Sequence, residues 1–538
     1  MSQHYKWYPA SEDSVIPYNA KYSYPSQGTK CTKTTPRIPP KNGATFTPTG
    51  GNPYIRLEFP ANGYIHPGNT CIEFEVLLVN YGTTTDGSKV WFQNNIASTF
   101  DRGRLMYGST PVEELLDLKG IVRNLTEWTA TREYDQTSVA QGIGSYDQQP
   151  DPYTLTVATT PAVNVNANVT NLVNVRRSRI QGADHNSVLQ VMVPNNSSNS
   201  TGIVPGAYSR VRYQIPIPFG LFQQTKLIPT KFMASQFAIE LYLANPSDCI
   251  MAVAGSSTGS PPTYILENVN LIPEVLEFDD VYDEAFLKAL RSGGVPLKFA
   301  TWHMFEFSIG GQSSLNLQIQ ERARSLKCLF ACQKRSPSDY TKDMGATLFS
   351  SSDLSTSSVM TDYWWRIGNR YFPSSPVICA TANATGTFAQ GAEPYVELEK
   401  ALQVVGDYRL STAVNKTRWA MPFDANGTES DYQHYITDYL ADGRPVYAAA
   451  PALNQGPLGA SANGPACFAA AISLEASNGL EISGLNAEEQ SDISFIAHYA
   501  SATGTASGNQ AAGFLMRVYT YFDKMIILRE NNMMQLIE

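Results

Sequence analysis

Alternation of apolar and polar residues is the feature that most restricts what this chain can fold into. Ile55, Leu57 and Phe59 alternate with Arg56 and Glu58, and Ile72, Phe74 and Val76 with Glu73 and Glu75. Leu315, Leu317 and Ile319 alternate with Asn316, Gln318 and Gln320. A period of two places one set of side chains on one face of a pleated strand, which suits a sheet with one buried face. Further strands read at 188–193, 211–217, 238–244, 264–278, 298–309, 325–333, 361–373, 471–476, 491–500 and 514–528. The turn-rich stretch PANGYIHPGN (60–69) is expected to separate the first two strands. No crossover helices of the βαβ kind punctuate the pattern, so antiparallel sandwiches or barrels are expected.

Helix signals are few. The clearest is DDVYDEAFLKALRS (279–292), where Asp279 and Asp280 open the helix, Lys288 and Arg291 lie near its end, and Gly293-Gly294 stops it. That order of charge matches the helix dipole. A second helix runs from Pro394 to about Gln403. STPVEELLDL (109–118) reads as a third, with Thr110 as cap, Pro111 at the first helical position and Glu113 closing a capping box. Asn486 with Glu489 gives the same signature.

At 538 residues the chain is too long for one ordinary core. The 279–292 helix falls near its midpoint, and the two halves finish alike. Gly220-Leu221 leads to IELYLA and a long last strand; Gly479-Leu480 leads to ISFIAHYA and a long last strand. The expected layout is an N-terminal arm over 1–44, a first β domain over 45–278, a linker helix over 279–294, a second β domain over 295–530 and a tail over 531–538. The arm is rich in Tyr and Pro, carries Lys30, Lys33, Arg37 and Lys41 with no intervening acid, and is expected to be extended against neighbouring subunits. The Ser/Asn/Gly-rich stretches 136–186, 335–360 and 404–466 read as long inter-strand loops.

Chemistry is hard to find. Charged residues are only 16%, and the net charge of −9 lacks the concentrated basic surface that phosphate binding needs. Sequence-specific nucleic-acid binding is therefore not expected. Gly255-Ser256-Ser257-Thr258-Gly259 fits G-x-S-x-G on paper, but it runs into Ser260-Pro261-Pro262 and not into the helix a nucleophile elbow requires. Asp279, Asp280, Asp283 and Glu284 form a carboxylate cluster that a helix start explains without a metal. The six histidines (His4, His66, His185, His303, His434, His498) form no H-E-x-x-H, and no phosphate loop occurs. The seven scattered cysteines show no zinc pairing; Cys328 and Cys332 would share one face of a strand as buried thiols. Adjacent Trp364 and Trp365 would face opposite sides, one toward a core. Arg176, Arg177 and Arg179 read as a solvated loop, and the sequons at Asn124, Asn168, Asn383, Asn415 and Asn426 as Asn/Thr-rich β sequence. No catalytic, cofactor-binding or metal residue is assigned, and no enzyme activity is expected.

The segments TDYWWRIGNRYFP, GAEPYVELEKAL and GLEISGLNAEEQSDIS resemble the second half of the double jelly-roll major capsid proteins of polinton-like viruses and virophages. WFQNNIASTFDRGRLMYGSTPVEELLD, RYQIPIPFGLFQQTKLIP and the ending YTYFDKMIILREN are similar to the same group, so the resemblance spans most of 50–535. Adenovirus hexon is a distant structural relative on this reading. The resemblance implies an all-β fold of two tandem eight-stranded jelly-roll barrels with long inter-strand loops and a few short helices. It also implies a homotrimer that tiles an icosahedral shell around a double-stranded DNA genome. The implied partners are neighbouring capsomers, minor capsid and penton proteins and an internal membrane. MSQHYKWYPA has no signal-peptide core and no apolar run nears about 18 residues, so synthesis in the host cytosol or nucleus is expected. The alternative is a carbohydrate-binding or carbohydrate-active double β-sandwich, which would need a converging acid pair or a calcium site.

Overall fold

In the computed structural model, the described residues are 31–79, 89–92, 96–118, 120–121, 210–253, 263–309, 314–335, 358–382, 388–390, 393–405, 438–439, 445–446, 469–475, 484–488, 492–501, 514–529 and 534–537. They form four large antiparallel sheets, two in each half of the chain.

In the first half, one sheet orders β1 (Cys31–Thr34), β11 (Thr263–Phe278), β4 (Tyr64–Val79) and β8 (Arg210–Pro216), with β2 (Thr45–Phe46) also on β11. Its partner orders β3 (Tyr54–Glu58), β9 (Phe237–Leu243), β6 (Phe100–Tyr107) and β7 (Thr110–Leu115). In the second half, one sheet orders β12 (Val295–Ile309), β23 (Phe514–Leu528), β14 (Leu326–Arg335) and β21 (Ala470–Ser473), with β24 (Met534–Ile537) added to β23. The other orders β13 (Ser314–Ile319), β22 (Ile493–Ser501), β15 (Ser358–Ile367) and β16 (Arg370–Ile378). Counting β1 and β2 as one interrupted strand, each half runs first–eighth–third–sixth in one sheet and second–seventh–fourth–fifth in the other. Two eight-stranded Greek-key barrels of this order are jelly rolls. Three small ribbons pair β5 (Lys89–Phe92) with β10 (Ile250–Val253), β17 (Ala380–Ala382) with β18 (Phe388–Gln390), and β19 (Asp438–Tyr439) with β20 (Pro445–Val446).

The period-two pattern explains the cores. Ile55, Leu57, Ile72, Phe74 and Val76 are fully buried, while Arg56 and Glu58 turn outward. Helix α3 (Asp280–Ser292) stands between the two halves, with the Asp279 side chain accepting from the Tyr282 amide as its cap. Short helices α1 (Gly220–Gln223) and α2 (Pro246–Cys249) lie in the first half and α4 (Glu393–Val405) in the second.

Several local expectations are corrected. STPVEELLDL does not open a helix. Gly108, at φ 60, turns β6 back into β7, and Thr110–Leu115 is a strand with Val112 and Leu115 buried. The capping-box spelling loses because burial within the sheet outweighs a local propensity of a few tenths of a kcal/mol per residue, about 0.2–0.7. TDYWWRIGNRYFP is a hairpin and not one strand: Gly368, at φ 58, joins β15 to β16 in the same way. PANGYIHPGN is a turn only as far as Gly63, after which β4 passes straight through His66-Pro67-Gly68, with a register shift opposite Ile272 and Glu274. Asn486 accepts from the Glu488 amide in a turn, and Glu489, the other half of that signature, lies outside the described residues. The strand expected at 188–193 lies outside the described residues.

Candidate functional site

Among the described residues, a dense cluster of buried polar contacts lies at the joint between the two barrels. After the β6–β7 hairpin, β7 runs against the edge strand β12, and α1 packs on the same strand. Glu113 of β7 is 2% exposed. Its carboxylate accepts from the Gly220 amide at 2.8 Å, the Leu221 amide at 3.4 Å and, across the joint, the Thr301 hydroxyl of β12 at 2.7 Å. Burial pushes the Glu113 carboxyl above its ordinary value, against the opposing pull of those three donors and the Lys524 charge. Gly220 allows this approach: a Cβ there would lie 1.8 Å from the Ala300 carbonyl oxygen.

One turn further on, Asp117 bridges to the second barrel. It accepts from the Tyr519 hydroxyl at 2.6 Å and pairs with Arg517 at 3.0 Å. Arg517 in turn pairs with Glu306 of β12 at 2.8 Å. Burial alone would lower the Arg517 pKa, but the charges of Asp117, Tyr519 and Glu306 raise it well above its usual value. Burial and the Asp117 charge likewise hold the Tyr519 hydroxyl protonated. A buried carboxylate is stable only when its lone pairs are filled, so these two acids fix the joint in one geometry. Sequence reading missed both. Glu113 reads in the sequence as the close of a capping box, and Asp117 as part of the same helix, whereas both reach toward the other barrel.

A second polar cluster ties α3 to the first barrel. Asp283 accepts from the Tyr64 hydroxyl at 2.9 Å and pairs with Lys231. Tyr64 is ringed edge-on by Phe232, Phe278, Tyr282 and Phe286. Asp279 and Asp283 thus serve capping and packing, while Asp280 and Glu284 are exposed.

The remaining singled-out residues fall apart spatially. His303 contacts Glu321 at 3.0 Å, and Thr520 donates to the same Glu321 oxygen at 2.7 Å. Burial raises the Glu321 pKa, but the hydrogen bond and charge of His303, with the Thr520 and Arg322 donors, bring it below its ordinary value. His498 contacts Asp362 at 2.7 Å beside the Trp364 ring. Thr361 donates to Asp362, so that group orients an imidazole without presenting it a nucleophile. Trp365 is fully buried and Trp364 half-buried on the opposite face, as the sequence implies. Cys328 and Cys332 are both fully buried. Among the described residues no group of three or more His, Cys, Asp or Glu could hold a metal ion, and no helix is long and apolar enough to cross a membrane. The 255–259 motif, the 176–179 arginines and the five sequons lie outside the described residues.

No protein-family model matches the chain, and no curated protein matches it in sequence. Among solved structures, a chain of the Sputnik virophage, determined by cryo-EM, superposes with a TM-score of 0.53 at 9% identity, covering 98% of this chain and 92% of that one. The fold is a double jelly roll. The mavirus major capsid protein gives a TM-score of 0.49 at 11% identity, covering 100% of this chain and 95% of that one. The PBCV-1 capsid model gives 0.49 at 11%, covering 96% and 99%. The likeness to the Sputnik chain is one of fold, at 9% identity.

Proposed function

We propose that this chain is a major capsid protein that acts structurally, as a homotrimer whose six barrels form a pseudo-hexagonal tile of an icosahedral shell around a double-stranded DNA genome. The observation that carries the reading is the asymmetry of the joint. The first barrel contributes its fifth strand, β7, and the second its first strand, β12. The corresponding fifth strand of the second barrel is β16, reached through the same Gly turn. Yet Tyr371 and Ile378 of β16 are 49% and 48% exposed, and Val396 of the neighbouring α4 is 43% exposed. A head-to-tail contact that leaves the complementary halves uncovered closes into a ring when the rotation permits. Two barrels per chain and threefold closure give six sides, and six-sided units tile a shell.

On this reading the protein resides in the virion. Its partners are other copies of itself, minor capsid and penton proteins, and whatever membrane lines the shell. Native mass measurement of the purified chain tests it directly. The expected particle has three times the 59.0 kDa chain mass and a hexagonal outline by electron microscopy. A chain that stays monomeric at every concentration overturns the reading.

A further inference from the structure

The first strand of the first barrel differs from its counterpart in the second. In the second barrel, β12 is a single ladder of 15 residues on β23. In the first barrel the equivalent strand is broken. β1 pairs Cys31–Thr34 with Val275–Phe278, Ile38 makes a lone bridge to Leu271, and β2 pairs only Thr45 and Phe46. Pro36, Pro39 and Pro40 lie between these contacts and remove three amide donors.

Beyond the β1–β11 ladder and the two Ile38–Leu271 backbone bonds, the side chains that hold the stretch are mainly charged. Lys33, Arg37 and Lys41 recur every fourth residue, so in extended chain they share a face. They pair with Glu274 at 2.6 Å, Glu73 at 3.4 Å and Glu58 at 3.5 Å. The three cations are 56%, 61% and 62% exposed, while Glu274 and Glu73 beneath them are 9% and 6% exposed. All four residues of β1 are exposed, and no acid occurs between Ser14 and Leu57. Ile38 is half-buried on its bridge to Leu271, and the denser anchoring lies at Lys41–Phe46. There the Lys41 amide donates to the Arg56 carbonyl, Asn42 bonds Asn52, Tyr54 and Arg56, and Phe46 is fully buried. Pairs whose cations stay this exposed are weakened by salt screening.

We propose that residues 31–41 are an exchangeable strand, which leaves its own β11 and docks on the same acidic, open-edged strip of a second copy of this chain. Release uncovers the Val275–Phe278 edge of β11 together with Glu274 and Glu73. The segment that fits that strip is extended, basic at every fourth residue and free of acids, and this chain supplies it. Eleven extended residues reach about 36–40 Å, more than the roughly 30 Å diameter of a small domain. The strand can therefore cross to a neighbour while its anchor at Asn42–Phe46 stays in place. Exchange of an identical element costs little, because the contacts broken and made are the same.

Two differently labelled copies test this. Thr32 and Glu277 are exposed partners in the β1–β11 register, at a spacing suited to a disulfide. One copy carries C31S and T32C with a tag; the other carries C31S and E277C. The copies are mixed, pulsed at about 1 M salt, where the screening length falls to about 3 Å, returned to low salt and oxidised. A covalent tagged–untagged dimer that increases with the salt pulse, and that is absent when Thr32 is left in place, is the expected result. A single chain carrying C31S, T32C and E277C reports that both cysteines are placed correctly by closing within the chain. If that chain closes fully and the mixed dimer is absent at every salt concentration, the proposal is wrong. Should E277C fail to fold, native Cys31 with F278C provides the neighbouring pair.

Discussion

The hydroxyl of Tyr519 donates to the carboxylate of Asp117 at 2.6 Å, joining residues 402 positions apart and in different barrels. Asp117 is 1% exposed, and the Arg517 side chain that pairs with the same oxygen is only 15% exposed. Removing Asp117 leaves a buried guanidinium paired with Glu306 but stripped of its most buried carboxylate. D117A is expected to lose about 3–5 kcal/mol and to split denaturant unfolding into two steps as the barrels uncouple. Y519F, which removes one donor, is expected to lose about 1–3 kcal/mol. A double-mutant cycle on Asp117 and Tyr519 read by guanidinium melts measures the shared part; additive losses would mean the bond contributes nothing to the joint.

Gly220 provides a steric test of the same joint. Its φ is unremarkable, so alanine there is not strained by backbone conformation, but its Cβ would meet the Ala300 carbonyl oxygen at 1.8 Å. Backbone cannot step aside as a flexible side chain can. G220A is expected to lose about 1–3 kcal/mol and to increase amide exchange in both β7 and β12. G50A changes a glycine at φ 74 with open space around it and touches neither strand, so it serves as the control for general loss of stability.

Two buried carboxyls should respond to pH with opposite sign. Glu321 sits below its ordinary value of 4.5, so its contribution is fully present above pH 4.5 and is lost as the pH falls through the lower folded value. Glu113 sits above 4.5, so folding is most favoured below pH 4.5, and that advantage is lost as the pH rises through the folded value. Stability measured from pH 3 to 8, roughly the range of carboxyl titration, should show a shallower acid-side loss in E321Q than in the parent chain. E113Q should instead show a smaller decline on the rising side. Identical pH profiles for all three chains would refute both assignments.

The fold was largely legible because burial in a sheet writes itself as alternation. Ile55-Leu57, Ile72-Phe74-Val76 and Leu315-Ile319 needed nothing but period two, and Asp279 with Gly293 marked the helix between the halves at both ends. Legibility failed where local and tertiary preferences disagreed. Thr110-Pro111-Glu113 spells a helix start, yet Val112 and Leu115 are needed in a core and Glu113 in a joint. Gly368 was read through as strand, although the same device at Gly108 turns the first barrel's hairpin. The joint itself was invisible. Glu113, Asp117, Thr301, Arg517 and Tyr519 come from distant strands, and nothing in their spacing announces that two barrels meet there.

The uncovered fifth strand of the second barrel gives the sharpest test of assembly. Tyr371 and Ile378 are half exposed on β16, and the Ile378 amide donates to Glu393 at the start of α4, which places Val396 on the same structural unit. In the first barrel the equivalent strand buries Glu113 against β12. If β16 meets the next copy in the same manner, a charge at Ile378 removes apolar contact from the interface and leaves the isolated chain unharmed. I378D is expected to shift native mass from three chains toward one, while stability of the separated chain stays within about 0.5 kcal/mol of the parent, as for other exposed substitutions. Y371S should act in the same direction and more weakly, because its ring also rests on Trp364. A trimer of undiminished affinity in both variants would show that the second barrel's fifth strand is not where copies meet.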